Sequence, residues 1–319
     1  MQEHRLVKPV SLAAARKVIH GRIPDLAAGK IKYLGGGSSS AFSVDDRLVV
    51  KFPKIGDQHQ RYDHFVKQFA REQALHKSLS KRVSPDEVVT PLAMIARPAS
   101  GFPGPIFTYQ YFAGTQVAKM ELASTQKRRL AHLLGRFLTM LHSMHKTNIP
   151  GIPKIAPESI RLGWNRQYET VKRDVMHLLN RAESKWMARL YESYLSGAGM
   201  HPPPVVFSHG DFGAENVLVP KAFDRLQVID FENVCWGDPV GDFCAWYQNY
   251  GEKFLEEMLT AYGGRIDEHF GARVRFYADR LPVTYFGLYK KSGNRSFLAY
   301  ARRYLGHVMK TKSWPGPGG

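Results

Sequence analysis

The residues best suited to chemistry lie in one stretch, 208–219, which reads S-H-G-D-F-G-A-E-N-V-L-V. It sets His209, Gly210 and Asp211 side by side, with Asn216 five positions after the aspartate. A strand-like run over 226–230 follows and ends in a second carboxylate, Asp230. A carboxylate followed by an amide, with another carboxylate at a nearby strand end, suits phosphoryl transfer: one group handles an acceptor hydroxyl while two hold magnesium against a nucleotide. Asp211 then accepts the hydroxyl's hydrogen bond, aims its lone pair at phosphorus and takes the proton late, a contribution of typically about 10²–10⁴-fold. Asn216 and Asp230 are the candidate magnesium ligands, because this cation takes hard oxygen donors and keeps several waters. Their spacing fits a hairpin in which 217–219 goes out, 220–225 turns and 226–229 returns. Pro220 belongs at such a turn because it cannot donate to a strand ladder. His209 is read as a hydrogen bonder that braces the loop. Each of these residues alone is an ordinary turn residue; the fixed offsets argue for a site.

A nucleotide needs partners for its phosphates. Lys51 stands in V-V-K-F-P, and a lysine flanked by apolar strand residues is expensive to bury unless it meets an anion. Glu72, mid-helix in R-E-Q-A-L, is placed to hold that ammonium. Gly35, Gly36, Gly37, Ser38, Ser39 and Ser40 form a glycine-rich turn with strands abutting both ends. Glycine lets backbone N–H groups approach phosphate closely, and serine hydroxyls add donors. It is not a Walker loop, since no Gly-Lys-Ser/Thr follows it.

These groups must be positioned by the elements around them. A short helix capped by Ser11 is expected over 11–19, then strands over 30–34, 41–44 and 47–52, with Asp45 and Asp46 at the second turn. The spacing predicts a helix over 63–80 and an aromatic-rich strand over 106–111. Helices follow over 125–144, 165–194, 243–262 and 270–289, and a loose tail over 313–319. Strands first and helices later point to an α+β protein with two lobes, residues 1–108 and 115–319, joined by a hinge at 109–114.

The chain has 319 residues, enough for two lobes with a good core. Two cysteines, Cys235 and Cys244, make neither a disulfide scaffold nor a zinc site, and both are read as small apolar side chains. No apolar run approaches the roughly 20 residues that span a bilayer, and the N-terminus lacks the pattern of a signal peptide, so a cytoplasmic protein without a membrane partner is expected. The formal charge is +17, with 17 basic and 9 acidic residues among the first 114 and 28 and 19 among the rest. That even spread gives no basic arm for nucleic acid, and a nucleic-acid partner is not expected. A monomer is expected, with a basic surface that attracts an anionic nucleotide.

In this order the motifs resemble the aminoglycoside phosphotransferase family, within the wider protein-kinase-like fold. H-G-D-F-G-A-E-N at 209–216 resembles its catalytic loop, and I-D-F-E at 229–232 its metal-binding segment, with Glu232 where protein kinases carry glycine. G-D-P-V-G-D-F at 237–243 resembles the element that follows, in which Asp242 braces the site. The blocks at 33–42 and 49–54 resemble the 2″-acting aminoglycoside kinases in particular, and 242–262 also resembles macrolide kinases of the same family. The resemblance implies a bilobal kinase-like fold, with a small β-rich lobe, a mostly helical lobe and a purine nucleotide in the cleft between them. It also implies backbone contacts at Gln110, Tyr111 and Phe112, with Tyr109 at the gatekeeper position. It leaves ATP and GTP both open as donors, with magnesium, and implies a hydroxyl of an aminoglycoside-type antibiotic as acceptor. One departure bears on that acceptor: where the 2″-acting enzymes cluster acids, this chain has C-A-W-Y-Q-N-Y at 244–250. The acceptor candidates that remain are Glu232, Asp238, Trp246 and Tyr250, of which the aromatics fit a hydrophobic core equally well. The rivals are the same transfer to a macrolide or to a metabolite alcohol such as a sugar, choline or homoserine, and a nucleotide-binding regulator without catalysis.

Overall fold

A computed structural model describes residues 10–22, 29–36, 39–53, 60–79, 91–95, 105–144, 151–152 and 155–311. The chain divides into two compact units. The first comprises Met1–Val117, Asn148–Gly151 and Val217–Glu232, and the second Ala118–Thr147, Ile152–Asn216 and Asn233–Gly319. The stretch 109–114, read from sequence as the hinge, lies inside the first unit.

The first unit is built on a five-stranded antiparallel sheet. Helix α1 (Leu12–Arg22) leads into β1 (Ile31–Gly35), β2 (Ser39–Val44) and β3 (Leu48–Pro53). Helix α2 (Gln60–Leu79), β4 (Pro91–Ile95) and β5 (Ile106–Gln110) follow, giving the strand order β1-β2-β3-β5-β4. Ser11 caps α1, its hydroxyl accepting from the Ala14 N–H at 3.2 Å. Asp45 and Asp46 close the β2–β3 hairpin with φ of 54° and 51°, the left-handed pair that a tight hairpin turn demands and that aspartate tolerates.

Strand alternation gives each face of this sheet its own content. Phe42, Val44, Val50, Phe52 and Ile106 are buried on one face with Ala15, Val18 and Ile19 of α1. Lys51 lies between Val50 and Phe52 in sequence and therefore points to the opposite face. There the register sets Lys51 against Phe107 and Val49 against Tyr109, and Phe69 of α2 stacks on Phe107 with ring centroids 4.9 Å apart. A separate ribbon of Thr115–Gln116, Val217–Val219 and Gln227–Val228 completes the unit. Val217 pairs with Val228, so the chain enters and leaves that hairpin at the same end.

The second unit is mostly helical. Helix α3 (Ser124–His142) buries Leu130, Leu134, Phe137, Leu138 and Leu141, an apolar stripe at helical spacing. Next come α4 (Pro157–Asp174), α5 (Arg181–Ser196), α6 (Cys244–Tyr250), α7 (Glu252–Thr260), α8 (Phe270–Asp279), α9 (Leu281–Ser292) and α10 (Arg295–Thr311). Three helices that the sequence pattern joins are in fact broken. The run over 165–194 starts earlier and splits, because Asn180 and Glu183 form a reciprocal capping box that begins α5. The run over 243–262 splits at Gly251, whose φ of 81° ends α6. The run over 270–289 splits at Arg280, with Pro282 in the first turn of α9. Helix α10 is an element the sequence reading leaves unassigned, although Ala301, Tyr304, Leu305 and Val308 recur at helical spacing and are buried. Two short strands, Val206–Ser208 and Cys235–Gly237, pair antiparallel at the start of the loop that carries Asp211. Cys235 is exposed there and is no core residue. Among the described residues, no helix is long and apolar enough to cross a membrane.

Candidate active site

The loop after Val206–Ser208 is anchored from beneath. Asp242 is fully buried, and its carboxylate accepts from the backbone N–H groups of His209 at 2.9 Å and Gly210 at 3.0 Å. His142 of α3 approaches the same carboxylate through Nε2 at 3.1 Å, and its Nδ1 shares a 2.8 Å hydrogen bond with the Tyr262 hydroxyl. Burial alone would raise the Asp242 pKa, but the bonds from His142 and the His209 amide outweigh it and hold the carboxyl below its ordinary value. Gly210 has φ of 79°, and a Cβ there would stand 2.2 Å from the Asn233 carbonyl oxygen, so the loop requires glycine at this point. Phe212, just after Asp211, is buried and stacks on Phe137 at 5.5 Å.

Asp211 is thereby an exposed carboxylate on a loop fixed at both flanks. Its own N–H donates to His209 Nδ1 at 3.3 Å, which gives His209 the bracing position read from sequence. Asn216 donates from Nδ2 to the Asp211 carbonyl at 2.8 Å and to its Oδ2 at 3.1 Å. With the amide nitrogen so used, Asn216 keeps Oδ1 as its acceptor oxygen, on the side of the amide away from Asp211.

In the first unit, Lys51, Glu72, Tyr109, Asp230 and Glu232 lie within electrostatic reach of one another. Among the described residues no ion pair joins Lys51 to Glu72. The Glu72 carboxylate is instead taken by the Tyr109 hydroxyl at 2.8 Å and by Gln68 Nε2 at 3.3 Å. Lys51 Nζ rests over the Tyr109 ring, 5.3 Å from its centroid. Burial pushes Glu72 up, and the nearby Lys51 offsets only part of that shift. Tyr109 is raised by burial and by Glu72, so it stays a donor. A small recess beside Lys51 is lined by Ser39, Gln68, Phe69, Phe107 and Tyr109.

Gly35 ends β1 and Gly36 follows it, with φ of 118° and 148°, and a Cβ on Gly36 would clash with the Ser39 carbonyl oxygen. Gly37 and Ser38 lie outside the described residues. At the end of β5 Gln110 is exposed, and beyond it Tyr111 is half-buried and Phe112 buried, with the Arg225 guanidinium 5.7 Å from the Phe112 ring.

Asp230 follows the ribbon with φ of 68°, a left-handed conformation that aspartate adopts more readily than most side chains. Asn216, in the second unit, and Asp230, in the first, each carry a hard oxygen donor of the kind magnesium takes. Among the described residues no cluster of three or more His, Cys, Asp or Glu is arranged to hold a metal by itself. A cation shared with phosphates needs no such cluster.

Two of the acceptor candidates are corrected. Trp246 is fully buried, packed against Phe212 at 5.8 Å and Phe254 at 5.9 Å, and has no surface to offer a ligand. Asp238 is buried in an ion pair with Arg273 Nε at 2.9 Å and accepts from the Tyr277 hydroxyl at 3.2 Å. Burial still pushes its pKa up to about 6, against the opposing pull of Arg273. Its role is structural, because Arg273 also grips Asp267 through both of its terminal nitrogens. Tyr250 is half-buried on Phe254 at 4.7 Å, and Glu232 is half-buried and bonded by Gln68 Nε2 at 3.0 Å. The sequence reading missed His142 and Gln68. His142 meets Asp242 100 positions away, and Gln68, besides its neighbour Glu72 one turn on, reaches Glu232 164 positions away, a link no local spacing marks.

Comparison with known proteins accords with this architecture. A family model described as a phosphotransferase enzyme family, APH, matches residues 30–275. No curated protein sequence matches the chain. Solved structures of the same fold include a GDP and kanamycin complex of an APH(2″) enzyme, at 19% identity over 92% of this chain and 98% of that one, with a TM-score of 0.76. They also include a macrolide 2′-phosphotransferase type I, at 21% identity over 93% and 98%, with a TM-score of 0.66. A third is the macrolide 2′-phosphotransferase MphH from Brachybacterium faecium, at 19% identity over 87% and 91%, with a TM-score of 0.65. The matched span covers most of the chain, including β1–β5 and the Asp211 loop, and on that ground the chain belongs to the phosphotransferase enzyme family and has its kinase-like fold.

Proposed function

We propose that this protein transfers the γ-phosphoryl group of ATP or GTP to a hydroxyl of an antibiotic-type small molecule. Asp211 is the catalytic base. As its carboxylate takes the hydroxyl proton, the acceptor oxygen bonds to the γ-phosphorus, the bond from that phosphorus to the bridging oxygen breaks, and the nucleoside diphosphate leaves. The single observation that carries this reading is the form of the Asp211 loop: an exposed carboxylate held by backbone bonds to Asp242, with the Asn216 amide on its flank.

Lys51 grips the α- and β-phosphates, and Glu72 and Tyr109 set the field around it. The glycine turn at Gly35, Gly36, Gly37, Ser38 and Ser39 offers N–H groups to phosphate, and Gln110, Tyr111 and Phe112 supply the base-binding edge. Asn216 and Asp230 would hold Mg²⁺, which when bound neutralises charge on the phosphates. Positioning and charge neutralisation supply most of the acceleration in this chemistry. The GDP, ATP and kanamycin complexes among structures of the same fold support a purine nucleotide donor and an antibiotic acceptor, and the macrolide 2′-phosphotransferases support a second acceptor class.

The test is Asp211→Ala in a nucleotide-consumption assay with magnesium and an acceptor panel. Turnover should fall by about 10²–10⁴-fold while nucleotide affinity is retained. Undiminished turnover in that variant would remove the assignment. Absence of any magnesium-dependent nucleotide consumption by the unaltered protein would favour a regulator instead.

A further inference from the structure

Arg273 of α8 is among the largest fully buried side chains of the protein, at 1% exposure. Its Nε donates to Asp238 Oδ2 at 2.9 Å, and its two terminal nitrogens donate to the two carboxylate oxygens of Asp267 at 2.8 and 2.9 Å. Asp238 is buried as well, and both of its carboxylate oxygens are engaged. Oδ2 also accepts from the Tyr277 hydroxyl at 3.2 Å, and that hydroxyl accepts from Trp164 Nε1 at 3.2 Å. Oδ1 accepts from the Val240 N–H at 3.2 Å and so caps the tight turn Pro239–Asp242. The Asp238 carbonyl takes the Gly241 N–H at 3.1 Å. The turn ends in Asp242, the acid that receives the His209 and Gly210 N–H groups of the Asp211 loop.

Stability alone does not account for this arrangement. Two buried charges give up their hydration, and replacing such a pair by packed apolar side chains is often neutral or stabilising. The Asp238 carboxyl shows the cost: burial raises it to about 6 although Arg273 pulls the other way. What the cluster supplies is direction. The guanidinium presents its donors in a rigid planar fork. It therefore holds the 238–242 backbone in one register against α8, where apolar contacts alone would tolerate several. From this geometry we propose that Arg273 is a positioning residue for Asp211. Through Asp238 it fixes the turn 239–242, and through Asp242 that turn fixes the loop presenting the Asp211 carboxylate. The inference rests on the phosphotransfer reading and deepens it, because it extends the support of the proposed base to a side chain that touches neither substrate nor nucleotide.

The experiment uses the full chain and two variants. In Asp238→Asn/Arg273→Met the amide oxygen still accepts from the Val240 N–H and neither buried charge of the pair remains, so the urea midpoint should stay close to that of the unaltered protein. Arg273→Lys keeps the charge and loses the fork. Two quantities are read on each. The first is kcat against KM for the nucleotide, with magnesium, ATP or GTP, and kanamycin and a macrolide as acceptor probes. The second is hydrogen exchange at the His209 and Gly210 amides, taken relative to amides in the middle of α3, which report global opening. In the double variant kcat should fall by about 10- to 100-fold, the effect of displacing a reacting group by about 1 Å, with the nucleotide KM unchanged. The two loop amides should exchange at least about 10-fold faster, and Arg273→Lys should fall between the double variant and the unaltered protein. A merely structural cluster would lower the urea midpoint and leave the relative exchange unmoved. Undiminished kcat in a folded double variant, or loop amides that exchange as slowly as before, would overturn the proposal. If the double variant does not fold, Arg273→Lys is judged by the same two criteria. Exchange is read without substrate, so faster exchange in a chain with no transfer activity would count against the phosphotransfer reading rather than against the role of Arg273.

Discussion

Asp211 and Lys51 are both presented on short backbone segments, but their surroundings hold them in opposite ways. The Asp211 loop hangs from a buried acid whose acceptor sites are filled: Asp242 takes two backbone N–H groups and stands against His142. Its charge is satisfied inside the protein, so the loop is fixed before any ligand arrives. Around Lys51 the charges are only partly matched. Glu72 is buried and bonded by a phenol and an amide rather than by the ammonium, and the Gln68 Oε1 atom is buried without a partner among the described residues. Among the described residues the lysine ammonium meets the Tyr109 ring and the field of Glu72 rather than a direct carboxylate partner. One region is closed around a charge satisfied from within; in the other the charges stay only partly matched.

The largest expected effect falls on the fixed loop. Asp242→Asn keeps the shape but removes the charge that two N–H groups and His142 address, and should cost about 3–5 kcal/mol at neutral pH. The folded pKa of Asp242 lies below its ordinary value of 3.8. The stability it adds is therefore present above 3.8 and lost as pH falls through the lowered folded value. Urea unfolding of both proteins should show a wide gap at pH 7 that narrows below 3.8. A gap that widens on acidification would contradict this account of the loop.

Tyr109→Phe tests the other region and should act more gently. It removes one hydrogen bond to a buried carboxylate, worth about 1.5–3 kcal/mol, and should push the Glu72 carboxyl further up. Thermal unfolding and carboxyl NMR titration read the two effects. Unchanged stability would mean that Lys51 moves in to pair with Glu72, and the contrast between the two regions would then weaken.

The smallest effect is expected from Gln68→Leu. This change deletes the bonds to Glu72 and Glu232 but also removes an unpartnered buried oxygen, and the two largely offset, leaving a change within about 1 kcal/mol. A loss of several kcal/mol in urea unfolding would show that the Gln68 link governs the Lys51 region.

Much of the fold was legible in residue order. The β-meander, the glycine turn and α2 follow from strand alternation, left-handed turn residues and helical spacing, all of which act within a few positions. The breaks at Asn180 and Gly251 were also present as local signals, an N-R-A-E capping box and a glycine after an aromatic run, but the apolar periodicity on either side masks them. Helix α10 was legible by the same periodicity, with Ala301, Tyr304, Leu305 and Val308 buried at helical spacing.

The placement of side chains was not legible. Whether Trp246 is a ligand contact or core, whether Asp238 meets an acceptor or Arg273, and whether Glu72 pairs with Lys51 or Tyr109 depend on which distant element packs against each. Residue order alone determined the local chemistry of this protein: an aspartate and an amide at one spacing, a lysine with apolar flanks, a glycine where φ must be positive. Tertiary structure decided which charges are already neutralised and which remain available, because burial and pairing arise between residues far apart in the chain, and the desolvation that sets their cost exists only once the chain has closed around them.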